Sequence, residues 1–411
     1  MTFSRRDFLK FSVLPAAAGL LARPMLRAMF APGNGSTRNL VLLDLKGGCD
    51  GLNTVVPFGV NGGTYSSVFR QSLAIPQNLL LPVSGQIGLN PRMTALKSHF
   101  DAGRLAIVQG VSYPQPNFSH EVAQTIWQTG ELSGYGAQGW LAKHLLAQGG
   151  AGPQAASVDD NLTLLLDGSG GFVPAFTDIG QVTFPYDGYH PEDQDNRRAA
   201  YEAIATGLAG NPKAQLAAMS STGTGLISLI DQFTALPTFT HVGAYPDSYL
   251  SDLLKLVVQL LNGNLGLRYF HVPFGGWDTH ADQETGDYHS ERLGVVSDAL
   301  HALWQDLTAM GLANDTLIVV FTEFGRTVYQ NGSKGTDHGT VNPVLVLGSG
   351  VSGGLITAHP SMDPADLTED GELPMVADFR DVFGTVAEDW LGGSAAVCFP
   401  GHAYSGLGFV A

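Results

Sequence analysis

The chain has 411 residues, of which 21 are basic and 37 acidic, and 44% of its residues are hydrophobic. This length and apolar content are sufficient for a large folded core, and the net charge of −16 argues against nucleic-acid binding because an acidic surface repels phosphate backbones. Two cysteines, Cys49 and Cys398, are too few for a disulfide framework, and either one bridge or two buried thiols fits the sequence.

Residues 1–31 have the pattern of a targeting segment. The apolar run Phe11–Ala22 has 12 residues, whereas a membrane-spanning helix needs about 20. Arg5-Arg6, followed by FLK at residues 8–10, resembles the twin-arginine export signal. We therefore expect the twin-arginine translocase to export the protein to the periplasm or the extracellular space, without a stable membrane anchor. The remaining chain would carry a net charge of −20.

Residues 32–411 alternate short apolar runs with helical segments. Continuous runs of Val, Leu and Ile predict strands that are covered on both faces. The predicted strands are Asn39–Leu45, Leu105–Val108, Asn161–Leu166, Leu267–Val272, Thr316–Thr322 and Pro343–Leu347.

Helices are predicted between these strands, because residues 247–261 and 293–310 carry apolar side chains at helical spacings of three and four. The alternation predicts an α/β fold of three layers, with helices on both faces of a largely parallel central sheet. Residues 150–245 are less regular, with a polar loop at 185–195 and a helix near 192–208. We expect this stretch to form a cap or insertion within a single domain.

Polar clusters lie beside the ends of the predicted strands, where open α/β sheets bind ligands. The loop 46–53 contains Asp50, which could face a cation or simply form an Asp-Gly turn. Ser119 lies at the start of a predicted helix. The helix dipole there favours an anionic ligand or an ionised nucleophile, although serine is also a common helix cap.

Three later clusters add carboxylates and imidazoles. Asp278 and His280 could converge on one ion or form a structural pair. Glu323 lies where a strand ends, and Arg326 could hold an oxyanion or pair with Glu323. The loop that leads into strand 343–347 contains Asp337-His338. Together, the clusters predict a metal site at one end of one sheet.

Several motifs together resemble a known family. They are GGCDGLN (47–53), NFSHE (117–121), GGWDTH (275–280), TEFGRT (322–327), TDHGTVNP (336–343) and DFRDVFGTVAEDWLGG (378–393). This set is similar to a family of twin-arginine-exported bacterial proteins, the domain-of-unknown-function family numbered 1501. That family is distantly similar to the alkaline phosphatase, sulfatase and cofactor-independent phosphoglycerate mutase superfamily. The resemblance implies an alkaline-phosphatase-like fold and a divalent metal, namely zinc, manganese or calcium.

The resemblance also implies roles for individual residues. Ser119 matches the nucleophile, and Asp50 or Asp44 matches the first metal ligand. Further ligands are implied at Asp278, His280, Glu323 and His338. The chain departs from the superfamily in two places, because Asp278 and His280 are two rather than four residues apart and Glu323 stands where an Asp-His pair is usual. A two-ion centre would therefore lack ligands, which leaves one ion or a metal-free site.

Three functions are consistent with these observations. In the first, the protein is a metal-dependent hydrolase of small phosphate or sulfate esters: Ser119 attacks, His120 or His338 donates a proton, and Arg326 stabilises the developing charge. In the second, it is a non-catalytic envelope or ligand-binding protein on a phosphatase-like scaffold. In the third, it is an enzyme of another class, such as an oxidoreductase, although no Gly-x-Gly-x-x-Gly fingerprint follows the first strand.

Overall fold

A computed structural model of the protein describes residues 38–149, 154–169, 173–182, 190 and 193–410. The export signal predicted at residues 1–31 lies outside these ranges, as does most of the polar loop predicted at 185–195. Within the described ranges, no helix combines the length and the apolar character needed to cross a membrane.

A mixed sheet forms the centre of the described fold. Its strands are β1 Asn39–Asp44, β2 Leu105–Ser112, β3 Ala155–Ser157, β4 Tyr269–Pro273, β5 Thr316–Phe321, β6 Asn342–Leu347, β7 Gly354–Leu355 and β8 Ala377–Asp378. They follow the order β7-β2-β6-β5-β1-β4-β3, and β8 also pairs with β2. Only β6 is antiparallel to its neighbours; the other pairs in this sheet are parallel. The predicted, largely parallel sheet is therefore confirmed.

Helices cover both faces of this sheet. The longer helices of the described fold are α1 Thr94–Asp101, α2 His120–Thr129, α3 Trp140–Gln148, α4 Asp193–Gly207, α5 Ala214–Thr234, α6 Tyr249–Asn262, α7 Tyr288–Ala309 and α8 Phe379–Thr385. Side chains of α1, α5, α6 and α7 form one hydrophobic core with Val41 and Leu43 of β1. Side chains of α2, α3 and α8 form a second core with Leu40 and Leu42. Because successive side chains of a strand point to opposite faces, the continuous apolar run of β1 serves both cores, and the predicted three-layer α/β fold is confirmed.

Shorter elements complete the described fold. The strands Val55–Val56, Leu81–Pro82 and Gly88–Leu89 form one small sheet, and Gly325–Arg326 pairs with His338–Gly339. Short helices lie at Gly51–Thr54 and Ala395–Cys398, and π-helical turns lie at Tyr65–Phe69 and Val386–Trp390. Helix α4 packs on α5 within the stretch that the sequence marks as irregular.

One predicted strand is wrong. Within Asn161–Leu166, residues 164–166 form a 3-10 turn, and the edge strand is β3 instead. The Oε1 atom of Gln128 in α2 accepts hydrogen bonds from the Thr163 hydroxyl and the Leu165 amide, so this run is held by a helix rather than by a neighbouring strand. A short apolar run does not distinguish these two outcomes by periodicity.

The direction of β6 explains why the polar clusters meet. Strands β1, β2, β4 and β5 point the same way, so the loops that follow them open at one edge of the sheet. Because β6 runs in the opposite direction, the loop that precedes it reaches this same edge. All five polar clusters are therefore placed at one end of the sheet, as the sequence predicts.

Candidate metal centre

Four side chains from three different loops converge at this edge. His120 is the first residue of α2, and its ligand atom lies within 4.8 Å of those of Asp278 and His338. His280 adds a fourth donor, because its Nε2 atom lies 3.0 Å from His338 Nε2 and 3.1 Å from Asp278 Oδ1. The cluster therefore places three imidazoles around one carboxylate.

The Nδ1 atom of each of these three imidazoles faces an oxygen acceptor. The contacts are His120 to Glu323 Oε1 at 2.7 Å, His280 to Asp337 Oδ1 at 2.8 Å, and His338 to the Phe118 carbonyl at 2.7 Å. A carboxylate or a carbonyl can only accept, so Nδ1 carries the hydrogen in each ring. In the neutral rings, each Nε2 atom is then left with a lone pair, which is the form that ligates metals.

These lone pairs provide a test of whether the residues fit a metal ion. His120 Nε2 is buried without a hydrogen-bond partner, and its closest carboxylate oxygen, Asp278 Oδ2, is 3.4 Å away. The Nε2 atoms of His280 and His338 face each other at 3.0 Å. Facing lone pairs are favourable only with a proton or a metal cation between them. Among metals, Zn²⁺ and Mn²⁺ suit three imidazoles and one carboxylate better than Ca²⁺, which prefers oxygen ligands.

Glu323 is buried behind His120 rather than directed at the ligand cluster. Besides His120, its carboxylate accepts hydrogen bonds from the amides of Gly47 and Gly48 and from the Thr322 hydroxyl. Gly47 and Gly48 have φ values of 121° and 69°, which favour glycine, and so turn their N–H groups towards the carboxylate. Burial alone would raise the pKa of Glu323, but its hydrogen bonds, led by that from His120, bring the pKa below its usual value. Glu323 therefore orients His120 instead of serving as the expected ligand.

Asp337 contacts His280 in the same way that Glu323 contacts His120. Its Oδ1 atom accepts from His280 Nδ1 and, at 3.1 Å, from the Asn331 amide. The hydrogen bond from His280 is the main cause of the lowered pKa of Asp337. The predicted ligand Asp337 thus contacts His280 from outside the cluster, while His120, expected as a proton donor, lies among the candidate ligands.

Arg326 contacts the candidate ligand Asp278 from the buried side of the cluster. Its side chain is fully buried, and Nη2 donates to Asp278 Oδ1 at 2.7 Å. Burial alone would raise the pKa of Asp278, but the hydrogen bond and the positive charge of Arg326 lower it to about 2. The guanidinium also donates to the carbonyls of Gly47, Gly48, Trp277 and Thr336. Arg326 therefore joins loops to one another and pairs with Asp278, whereas the sequence predicted an oxyanion contact or a pair with Glu323.

The structure does not bring Asp50 to this centre. Its buried carboxylate forms a bidentate ion pair with the equally buried Arg70, at 2.7 and 3.1 Å. Its two oxygens also accept from the Leu52 amide and the Gln283 side chain. Asp44, the alternative first ligand, lies within the sheet with Oδ2 at 3.3 Å from His271. The basic residue Arg70, rather than a metal, thus neutralises Asp50.

Ser119 lies on the border of the centre. It is the exposed N-cap residue of α2, and its hydroxyl makes no capping hydrogen bond. The residues on either side of it both contact the cluster, Phe118 through its carbonyl and His120 through its ring. The sequence therefore placed Ser119 correctly at the start of a helix, and the structure places that helix start next to the candidate ligands.

Two parts of the site gave no signal in the sequence. The Phe118 carbonyl that fixes His338 is a backbone group, which any residue type supplies. Gln283, three residues after His280, is fully buried and contacts both ligand-bearing loops, but an isolated glutamine in a polar run is not distinguishable from a surface residue. Only the folded arrangement reveals either of them.

Residues 259–394 match the model of a family described as protein of unknown function (DUF1501), which confirms the resemblance over that segment. No curated protein matches the chain significantly. Solved structures to which the chain is similar include the C-terminal periplasmic domain of EcEptC from Escherichia coli in complex with Zn (12% identity, TM-score 0.38, covering 77% of this chain and 74% of that chain). They also include the PsFucS1 sulfatase from Pseudoalteromonas sp. (12%, 0.40, 97% and 78%) and the lipoteichoic acid synthase LtaP from Listeria monocytogenes (12%, 0.40, 95% and 82%).

Proposed function

We propose that this protein is a metal-dependent hydrolase of small phosphate or sulfate esters, with one divalent cation held by His120, Asp278, His280 and His338. The observation that carries the proposal is the shared orientation of the three imidazoles. Each has Nδ1 held by an acceptor and Nε2 turned towards the same carboxylate. Acceptors behind metal-bound imidazoles are a general feature of metal sites, since they fix both the tautomer and the direction of the ring.

The cation would be zinc or manganese and would supply Lewis acidity at the start of α2. Ser119 is the proposed nucleophile. Its hydroxyl oxygen forms a bond to phosphorus or sulfur as the bond to the ester oxygen breaks, and the hydroxyl proton passes through water to the departing ester oxygen. Water then hydrolyses the serine ester and restores the hydroxyl. The amides at the N-terminus of α2 favour negative charge at this position.

Metal analysis and an ester screen test the proposal on the same preparation. We expect one equivalent of zinc or manganese by elemental analysis, and turnover of phosphate or sulfate monoesters. Ser119→Ala should retain the metal and abolish turnover, whereas Ser98→Ala, at an exposed helix position in α1, should change neither. Undiminished turnover in Ser119→Ala would exclude it as the nucleophile, and metal binding without turnover of any ester would favour the non-catalytic ligand-binding function.

Export is a separate part of the proposal and rests on the Arg5-Arg6 pair. Transport by the twin-arginine translocase would move the protein after folding, so the centre could acquire its metal before export. The double variant Arg5→Lys/Arg6→Lys should leave the protein in the cytoplasm, as measured by cell fractionation. Equal export of this variant and the wild type would exclude the twin-arginine route.

A further inference from the structure

Gln283 connects the two loops that carry most of the candidate ligands. Its side chain is fully buried. Its Oε1 atom accepts hydrogen bonds from the hydroxyls of Thr279, at 3.0 Å, and Thr336, at 2.7 Å. Thr279 lies between Asp278 and His280 in one loop. Thr336 lies two residues before His338 in the other loop. One amide oxygen therefore joins the segments that supply three of the four candidate ligands.

The orientation of this amide is fixed by a carboxylate. Gln283 Nε2 donates to Asp50 Oδ2 at 2.6 Å, and a carboxylate can only accept, so the amide oxygen must face the two threonines. Asp50 is itself held by the bidentate ion pair with Arg70, in which both side chains are fully buried. Rotation of the amide would place its oxygen against a carboxylate oxygen, which is unfavourable.

Arg70 extends the same network to a third segment. Its Nε atom donates to the Val328 carbonyl and its Nη2 atom to the Thr327 carbonyl, both at 2.8 Å. The Thr327 amide in turn donates to the Asp337 carbonyl at 2.9 Å. A buried ion pair is expensive to desolvate and gives little net stability compared with apolar packing. Unlike apolar side chains, this ion pair forms directional hydrogen bonds, and these fix the separate loops relative to one another.

From these contacts we infer that Gln283 is a positioning residue for the metal centre, oriented by Asp50 and Arg70. It sets the separation between Asp278-Thr279-His280 and His338 without contacting either a ligand side chain or the ion. The inference rests on the proposed metal centre. Loss of such an outer contact typically lowers metal affinity by about 10- to 100-fold even though every ligand remains.

Gln283→Met tests this inference, because methionine has a similar length but neither donates nor accepts as the amide does. The full chain is titrated with Zn²⁺ and with Mn²⁺ in competition with a chelator, and the melting temperature is measured with and without metal. Binding to the native state adds stability that depends on affinity. A purely structural defect therefore lowers both melting temperatures equally. A positioning defect makes the metal-induced increase smaller and raises Kd by about 10- to 100-fold.

Gln128→Met is the matched control. Gln128 is also buried, and its Oε1 atom likewise accepts two hydrogen bonds, but these come from the 163–165 segment rather than from the ligand loops. Its Kd should equal that of the wild type. If Gln283→Met does not fold, Thr336→Val removes one of the same hydrogen bonds and Thr336→Ser restores it. Thr336→Val should then weaken metal binding, and Thr336→Ser should bind as the wild type does.

The outcomes separate the two proposals. A wild-type Kd in folded Gln283→Met, or in Thr336→Val where Gln283→Met does not fold, overturns the positioning role and leaves the metal centre intact. A wild-type protein that binds neither metal overturns the centre, and the positioning role with it. Weaker binding in Gln283→Met with unchanged binding in Gln128→Met supports both.

Discussion

The Nε2 atoms of His280 and His338 lie 3.0 Å apart, and the Nδ1 atom of each ring is already held by an oxygen acceptor. In the neutral rings, two lone pairs therefore face each other, with Asp278 Oδ1 at 3.1 and 3.2 Å from them. A histidine that only pairs with a carboxylate directs an N–H group at the oxygen, and such a pair does not bring two lone pairs together. A cation that accepts both lone pairs and neutralises the carboxylate makes the facing arrangement favourable.

His338→Gln should therefore lose the metal. The variant lacks one Nε2 lone pair and also the hydrogen bond to the Phe118 carbonyl, so we expect substoichiometric zinc or manganese by elemental analysis after dialysis. His402→Gln serves as the control, because His402 pairs with Asp381 in a separate histidine–carboxylate contact at 2.7 Å. Full metal occupancy in His338→Gln would rule out His338 as a ligand.

The position of the site could be predicted from the sequence because it depends on strand direction. Buried apolar runs such as 39–45 and 316–322 identify parallel strands, and the carboxyl ends of such strands meet at one edge. The loop with Asp337 and His338 was expected at the same end, but only the antiparallel direction of β6 explains why a loop before a strand reaches it. The apolar run 161–166 shows the limit of this reasoning, because a helix side chain rather than a strand holds it.

The roles of the site residues could not be predicted in the same way. Asp50 and Asp278 are both loop carboxylates after strands, yet one is paired with Arg70 and the other faces three imidazoles. The difference lies in partners that are distant in the chain, and sequence spacing does not report them. His120 was similarly expected to donate a proton, but its Nδ1 contact with Glu323 leaves its Nε2 atom facing Asp278, which makes it a candidate ligand.

Glu323→Gln should weaken metal binding although every ligand stays in place. The amide has nearly the same size as the carboxylate, but it is neutral and holds His120 Nδ1 less strongly. We expect Kd to rise by about 10- to 100-fold in a chelator competition measurement. Glu121→Gln, at an exposed position in the first turn of the same helix, should leave Kd unchanged. Equal Kd values for Glu323→Gln and the wild type would show that Glu323 does not orient the ligand.

The next prediction concerns the stability of the fold rather than the candidate metal site. The buried carboxylate of Asp306 in α7 accepts hydrogen bonds from His241 Nδ1, the amides of Val242 and Gly243, and the Tyr245 hydroxyl. Burial would raise the pKa of Asp306, but these bonds, led by that from His241, bring it below its ordinary value of 3.8. Because the pKa is lowered in the folded state, the carboxylate stabilises the fold fully above that ordinary value, and the contribution is lost as the pH falls through the folded-state pKa.

Asp306→Asn should therefore destabilise the protein by about 2–3 kcal/mol at pH 7, because hydrogen bonds to a charged group are weakened or lost. The difference from the wild type should shrink as the pH is lowered below 3.8, as measured by urea unfolding. Asp252→Asn is the control, since the Asp252 side chain is 71% exposed and should have little effect. A difference that stays constant over this pH range would argue against the ionised Asp306 as its source.

The two cysteines should remain reduced even in an oxidising compartment. Cys49 packs in the core on one face of the sheet and Cys398 in the core on the other face. The sheet therefore separates the two thiols. Because a disulfide requires Cα atoms within about 7 Å, they cannot pair in the folded protein. Burial also raises the pKa of each thiol to about 12, which leaves almost no reactive thiolate at neutral pH. A thiol reagent should therefore detect almost no reaction in the folded protein and two thiols after unfolding without reductant. Fewer than two thiols after unfolding would indicate a bridge or an oxidised cysteine, and contradict this packing.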